Sequence, residues 1–231
     1  MPQFAVILPA AGRSMRFGGQ VSKLLQKLDG RPVLARTLEA FARRSDVAQI
    51  VVASGDPQPI SECADFLAAP QRSKVIVCPG GSCRAESVLA AARASAENIE
   101  WLAVHDAARP LVSQGLIFRV FDAGVRHGAA AAALPVHLTI KQAAGPLPAQ
   151  VIKTLRRGEL WAMQTPQVMR RRDLLDAFVS CPLPLDQVTD DVQLLELANK
   201  PVWLVEGEER NIKITTPIDL QIAHSLLAAG I

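Results

Sequence analysis

Tyrosine is absent from the 231 residues, and three Trp and seven Phe bring the aromatics to only 4%. That scarcity removes the stacking platforms on which single-stranded nucleic acid is bound. Charge of one sign is missing as well. With 25 Lys+Arg against 22 Asp+Glu, the formal net charge is +3, too balanced for a protein that coats nucleic acid. Any basic chemistry is therefore local. Long apolar runs are lacking too: the longest, around Gly128 to Val136, is mostly Ala and far shorter than the roughly 20 residues of a membrane helix. The N-terminal run MPQFAVILPAAGRSMRFGG has no positive charge ahead of its apolar part; Arg13 and Arg16 follow it, the reverse of a secretory signal. The cysteines, Cys63, Cys78, Cys83 and Cys181, form no CxxC and no Cys/His cluster, which speaks against zinc and for free thiols in a reducing cytoplasm. Ordinary counts of Gly (14) and Pro (16) exclude collagen-like and Pro-rich architectures.

What the chain does have is apolar residues, 49% of the total, enough at this length for a self-sufficient core. Strand and helix signals alternate along most of it. Phe4–Ala10, Gln49–Ser54, Lys74–Cys78 and Trp101–Asp106 read as buried strands, separated by helical patterns at Pro32–Arg43, Ile60–Ala68, Arg84–Ala96 and Gly115–Arg126. That alternation predicts an α/β fold, Rossmann-like, with a mainly parallel twisted sheet covered by helices. Ala130–Val136 is a further strand candidate. Residues 137–155 then break the pattern, with Gly145, Pro146 and Pro148 between the short β-like runs LTIKQ and QVIKT, and predict a projecting β-hairpin arm. Helices follow near Arg171–Val179 and Asp190–Ala198, strands at Val202–Glu206 and Ile212–Thr216, and a closing helix at Pro217–Ala228 with Thr216 as its cap. No repeat or linker interrupts the chain, so residues 1–231 are expected to form one domain with the arm inside it.

Three polar, small-residue loops follow strands of this sheet. The first, Pro9-Ala10-Ala11-Gly12-Arg13-Ser14-Met15-Arg16-Phe17-Gly18-Gly19-Gln20-Val21-Ser22-Lys23, is neither a Walker A sequence nor a GxGxxG fingerprint. It reads either as a phosphate-binding loop or as a plain Gly-rich turn. The second, Pro79-Gly80-Gly81-Ser82-Cys83-Arg84-Ala85-Glu86-Ser87, suits backbone contact with a ligand or simple capping by Ser82. In the third, His105-Asp106-Ala107-Ala108-Arg109-Pro110, Asp106 and Arg109 can serve a ligand or close the turn as an ion pair. Loops after strands of one parallel sheet converge on one crevice, which favours the ligand readings. His105 reads as a loop-positioning residue, Trp101, Trp161 and Trp203 as core, and Arg170-Arg171-Arg172 as a solvated helix start.

The segments PAAG followed by Gly and Ser-Lys, GGSCRAESV, HDAARP, TLRRGELWAMQTPQ, VTDD and NIKIT, in that order, resemble the 2-C-methyl-D-erythritol 4-phosphate cytidylyltransferase family from Val6 to Leu226. The resemblance implies CMP transfer from CTP to methylerythritol phosphate, in the non-mevalonate isoprenoid pathway, by a cytoplasmic homodimer that needs neither nucleic acid nor membrane. It implies that Ala10, Ala11, Gly12, Gly81, Ser82, Arg84, Ser87 and Ala107 bind CTP. Arg16, Lys23 and Lys213 would be catalytic. Asp106, Arg109, Thr139, Arg157, Thr165 and Thr189 would hold the acceptor, with Thr139, Arg157 and Thr165 reaching across the dimer. Asp106 would also stand beside a Mg²⁺ held mostly by the CTP phosphates. The chain departs from the family pattern at Ser22, where Pro is usual, and at Leu138, Arg156 and Arg210, which lie around the acceptor. Another polyol phosphate such as ribitol 5-phosphate, or a non-catalytic nucleotide-binding role, are the rival readings.

Overall fold

In the computed structural model, residues 2–12 and 22–230 are described. The elements are β1 (Phe4–Pro9), a small hairpin of β2 (Lys27–Leu28) and β3 (Arg31–Pro32), α1 (Val33–Ala42), β4 (Val47–Ser54), α2 (Gln58–Ala64), α3 (Ala69–Arg72), β5 (Val75–Pro79), α4 (Arg84–Ala94), β6 (Trp101–Val104), α5 (Gln114–His127), β7 (Ala129–Pro135), β8 (Lys141–Ala143), β9 (Val151–Thr154), β10 (Trp161–Arg170), α6 (Arg171–Ser180), α7 (Asp191–Leu197), β11 (Trp203–Glu206) and α8 (Pro217–Ala228).

Seven strands form the main sheet in the order β11-β7-β10-β6-β1-β4-β5. All neighbours pair parallel except β10, which runs antiparallel to both β6 and β7. The chain winds from β1 outward through β4 to β5, then returns to place β6 on the other side of β1. That reversal is a topological switch point, and it opens a crevice beyond the carboxyl ends of β1 and β6.

Both faces of the sheet are covered, and the period of two in β1 shows how. Phe4, Val6 and Leu8 pack into one core with Leu34, Leu38 and Phe41 of α1 and Leu116, Ile117 and Val120 of α5. Ala5 and Ile7 point the other way, into a second core with Val88 of α4, Leu174 and Phe178 of α6 and Leu195 of α7. Between these layers the alanine run of β7 is fully buried. Small side chains let α5 approach closely: a Cβ on Gly124 would come within 2.4 Å of Val168 Cγ1 on β10. Helix ends are tied locally. Ser113 accepts from Leu116 N at the start of α5, and Thr216 and Asp219 form a capping box on α8, as the Thr-Pro pair predicts. Asp29 and Gly30, with φ of 49° and 75°, turn the β2–β3 hairpin, where left-handed backbone favours this pair.

Four sequence expectations need correction. Ile212–Thr216 is not a strand; it lies as a loop against the segment after β6, joined by Ile214 N–H donating to Ala108 O at 2.9 Å. Strand β10 was not anticipated, because Gln164, Thr165, Pro166 and Gln167 interrupt its apolar pattern. Trp101 is buried, but Trp161 (46% exposed) and Trp203 (42%) are not core; Trp203 sits on the sheet's edge strand, stacked on His127. Of the arginine run Arg170 and Arg172 are exposed, Arg170 while lying over Trp101, but Arg171 is half-buried and donates to Ser95 Oγ.

The arm does form. Strands β8 and β9 pair antiparallel in a separate two-stranded sheet. Along residues 137–155, Leu138 (75%) and Leu147 (89%), with Val151 and Ile152, stand exposed. No helix among the described residues is long and apolar enough to cross a membrane, and all four cysteines are free.

Candidate active site

Two cavities meet beyond the carboxyl ends of the central strands. The larger, about 370 Å³, is lined by the loops after β1, β5 and β6, with Ala10, Ala11, Gly12, Gly81, Ser82, Ser87 and Ala107 in its walls and Lys23 at its side. Lys23 opens a short 3₁₀ turn, Lys23–Leu25, whose Leu24 N–H donates to Ser22 Oγ. The serine found where the family has proline therefore caps this turn, and its φ of −54° is one proline also adopts.

Backbone packing builds this cavity. Ala10 N–H donates to Ala53 O, and Gly80 N–H to Ser54 O, so the loops leaving β1 and β5 are both anchored to β4. A Cβ at Gly80 would lie 2.3 Å from Ala11 Cβ, so these loops touch only because Gly80 has none. Ser87 Oγ accepts from Gly81 N–H and donates to Cys83 O, each at 3.0 Å, while Ser82 N–H and Oγ–H both donate to Glu86 Oε2 at 2.7 Å. Both serines thus shape the loop that the sequence reading assigns to CTP.

The second cavity, about 250 Å³, lies beside the first and is lined by Arg109, Gln164, Thr165, Gln167, Thr189 and Asp190. Arg84, Asp106 and Lys213 line both. They form a charged partition. Asp106 Oδ2 lies 3.1 Å from both Lys213 Nζ and Arg109 Nε, and Oδ1 lies 3.5 Å from Arg84 Nε. Burial alone would raise the Asp106 carboxyl, but Lys213, Arg84 and Arg109 together hold it well below the usual carboxylate range. Arg84 also reaches Asp191 Oδ2 at 2.8 Å. Burial pushes the Asp191 carboxyl up, and the guanidinium opposes it.

Behind Asp106 the hydrogen-bond directions are fixed. Burial lowers His105 to about 4, so its imidazole is neutral. Its Nε2 faces the Arg109 carbonyl at 3.1 Å, which only accepts, so Nε2 carries the proton. Nδ1 then accepts from Thr165 Oγ1, which in turn accepts from Asp106 N–H, both at 3.0 Å. His105 is thus a loop-positioning residue, as its sequence setting suggests. Thr165, expected to act across the dimer, instead faces the second cavity of its own chain, on the buried part of β10, with its hydroxyl already bonded on both sides.

Of the remaining candidates, Arg16 lies outside the described residues. Thr139 and Arg157 line neither cavity of their own chain; both are on exposed backbone, with Arg157 Nη1 donating to His137 O. Sequence reasoning missed Gln164, Gln167, Asp191 and Asn211. Gln164 holds Glu208 through its backbone N–H and carbonyl and accepts from Asn211 Nδ2, while Arg109 Nη1 donates to Asn211 O. The WAMQTPQ segment contained the signal, but only its threonine was used.

A divalent cation carried on phosphates asks little of the protein, often one or two carboxylates. Asp106 provides one, with Oδ1 in a 3.5 Å contact to Arg84. No group of three or more His, Cys, Asp or Glu suited to a metal occurs among the described residues. This donor set fits an ion held chiefly by its ligand's phosphates and does not fit a protein-built cage.

Comparison with known proteins places the chain among relatives of one kind. The bifunctional enzyme IspD/IspF of Desulfotalea psychrophila is 38% identical over 98% of the chain, which spans 57% of that longer protein. The 2-C-methyl-D-erythritol 4-phosphate cytidylyltransferase of Symbiobacterium thermophilum is 39% identical over 96% of the chain and 92% of its own length. The crystal structure of the Francisella tularensis enzyme of the same name superposes with a TM-score of 0.81 at 33% identity, covering 96% of this chain and 99% of that one. The family model for 2-C-methyl-D-erythritol 4-phosphate cytidylyltransferase matches residues 4–229, and the chain belongs to that family.

Proposed function

We infer that the chain transfers CMP from CTP to 2-C-methyl-D-erythritol 4-phosphate, releasing pyrophosphate, as a cytidylyltransferase of isoprenoid precursor synthesis. One observation carries the reading beyond family membership: two cavities share a wall of Arg84, Asp106 and Lys213, so two anionic ligands can meet at fixed cations. The larger takes CTP, against the loops of Ala10–Gly12 and Gly81–Ser87, with Ala107 beside the ribose. The smaller takes the acceptor phosphate, near Arg109, Thr165 and Thr189.

The acceptor's phosphate monoester has a second pKa of about 6 and is already ionised at neutral pH. No general base is needed, and the buried neutral His105 is not placed to act as one. The reaction is then direct in-line attack of a phosphate oxygen on the α-phosphorus. That oxygen forms the new bond as the α–β bridging bond breaks, and pyrophosphate leaves with its electron pair. Lys23, Lys213 and Arg16 stabilise the charge that develops, by positioning and electrostatics. Asp106 would help hold a Mg²⁺ carried mainly by the CTP phosphates, which would supply further charge neutralisation.

The acceptor side is completed by a second copy of the chain. Thr139 on the arm and Arg157 just after it sit away from their own cavities, and the arm's Leu138, Leu147, Val151 and Ile152 are exposed, which supports a homodimer that exchanges these arms. Each chain would then be one nucleotidyltransferase domain, residues 1–231, with residues 137–155 as its dimerisation arm. The free thiols fit a cytoplasmic enzyme.

Leu138 and Arg210 depart from the family pattern around the acceptor, which keeps another polyol phosphate as the second reading. Purified protein with CTP, Mg²⁺ and each acceptor in turn, assayed for pyrophosphate, separates the two. Turnover with methylerythritol phosphate is expected. Turnover with ribitol 5-phosphate alone sinks the acceptor assignment, and none with any acceptor supports a non-catalytic role.

A further inference from the structure

Gln167 lies on β10 where that strand, after breaking its pairing with β7 beyond Met163, rejoins it opposite Ala131. It is 1% exposed, and both ends of its amide are in use. Oε1 accepts from Asp191 N–H at 3.0 Å and from Val192 N–H at 3.2 Å, gripping the first turn of α7. Nε2 donates to Asp190 Oδ2 at 3.0 Å and to Gln164 O at 3.4 Å. The turn held in this way presents Thr189 and Asp190 to the smaller cavity and Asp191 to Arg84. Gln167's own bonds stop short of the loops of the larger cavity, which they reach only indirectly, through Asp191 and Arg84.

We propose that Gln167 is a positioning residue for the acceptor half of the site: it sets the place of Thr189 and Asp190, and so acceptor affinity, and bears on CTP binding only at second hand, through Asp191 and Arg84. The proposal rests on the assignment of the smaller cavity to the acceptor. It follows from bond directions as well as burial. Only an amide both accepts two N–H groups and donates to a carboxylate and a carbonyl from one planar end. In Gln167→Glu the carboxylate keeps the accepting oxygen but sets its second oxygen against Asp190 Oδ2 and Gln164 O. Adding Asp190→Asn turns the partner into a donor. Its Oδ1 continues to cap Gln193 N–H, as Asp190 Oδ1 does now.

The test is steady-state kinetics of the full-length protein with methylerythritol phosphate, together with calorimetric titration of CTP without acceptor. Breaking a buried hydrogen bond to a charged group should raise the acceptor KM of Gln167→Glu by about tenfold or more. KM and Kd for CTP, which Gln167 reaches only through Asp191 and Arg84, should rise severalfold less than the acceptor KM. Because Asp190 itself lines the cavity, the swap is read against both single variants: the double variant Gln167→Glu/Asp190→Asn should have a lower acceptor KM than Gln167→Glu or Asp190→Asn. A purely structural role predicts instead that both substrates suffer together and that the double variant does not recover; that pattern, or an unchanged acceptor KM, overturns the proposal. If Gln167→Glu fails to fold, the double variant is compared with Asp190→Asn alone: a lower acceptor KM supports the swap, and an equal or higher one refutes it. Wild-type protein that turns over no methylerythritol phosphate refutes the acceptor assignment itself, a result visible before any variant is made.

Discussion

The two cavities that meet at Arg84, Asp106 and Lys213 are made of different material. The larger is backbone: alanines and glycines whose shape is set by contacts between neighbouring loops, with Gly80 touching Ala11 and Ser87 bonding within its own loop. The smaller is side chain: arginine, aspartate, glutamine and threonine drawn from segments a hundred residues apart, as in Arg84 to Asp191 and Arg109 to Asn211. A backbone wall tolerates no added atom, whereas a side-chain network tolerates no lost partner. The difference predicts which variants damage which substrate.

The largest effect belongs on the shared wall. Lys213 is only partly buried and its ammonium is salt-bridged to Asp106, so Lys213→Ala should leave the fold intact. Loss of a fixed cation from the transferring centre typically lowers the rate by about 10²–10³-fold, and kcat should fall with both substrates saturating. A variant that changed only one KM would place Lys213 on one side of the partition. Next comes Gly80→Ala, which places a methyl 2.3 Å from Ala11 Cβ. Overpacking of this kind costs about 1–3 kcal/mol, equivalent to roughly five- to a hundredfold in affinity. It should appear in CTP binding by calorimetry, with the acceptor KM nearly unchanged. An equal rise in both would abolish the distinction between the cavities.

This difference also governs what was legible in the sequence. The parallel sheet, the Gly80-Gly81 loop and the β-hairpin arm are local patterns, and each could be read from adjacent residues. Lys213 was found through a motif, although its segment was expected to be a strand and is a loop against Ala108. The acceptor-side scaffold was largely illegible. Gln164 and Gln167 look like polar interruptions of β10, and only the fold reveals that they hold Glu208 and the first turn of α7. Asp191, at 1% exposure, resembles any helix-start aspartate until Arg84 is seen beside it. Nothing local distinguishes a long-range partner from a surface residue.

A third prediction tests the support behind the partition by pH. Folding keeps His105 neutral, with a folded value of about 4 against about 6.5 when unfolded. The unfolded chain therefore binds the extra proton first as pH falls. The stability from this site is complete above about 6.5 and drains away toward 4, by up to ~1.4 kcal/mol per pH unit. His105→Gln preserves an acceptor for Thr165 and a donor for Arg109 O but does not titrate. In urea denaturation the wild type should lead near pH 7.5, and the gap should narrow between pH 6.5 and 4. A constant gap would mean that the imidazole is not held neutral.

The smallest effect probes the backbone wall from its side-chain edge. Cys83 lines the larger cavity, yet its Sγ is committed to Glu86 N–H at 3.4 Å, as the cap of α4. Serine caps helices better than a residue with a weak sulfur acceptor, because its oxygen takes a stronger hydrogen bond from the first turn. Cys83→Ser should therefore raise stability by ~0.5 kcal/mol, a gain of about 1–2 °C in Tm for a chain of this size. Turnover and the KM for CTP should remain within about twofold. If this wall is backbone in function as well as in composition, the thiol at its edge matters to α4 alone. A tenfold loss of CTP affinity would instead place that side chain in contact with the nucleotide, and the larger cavity would read its ligand with side chains as the smaller one does.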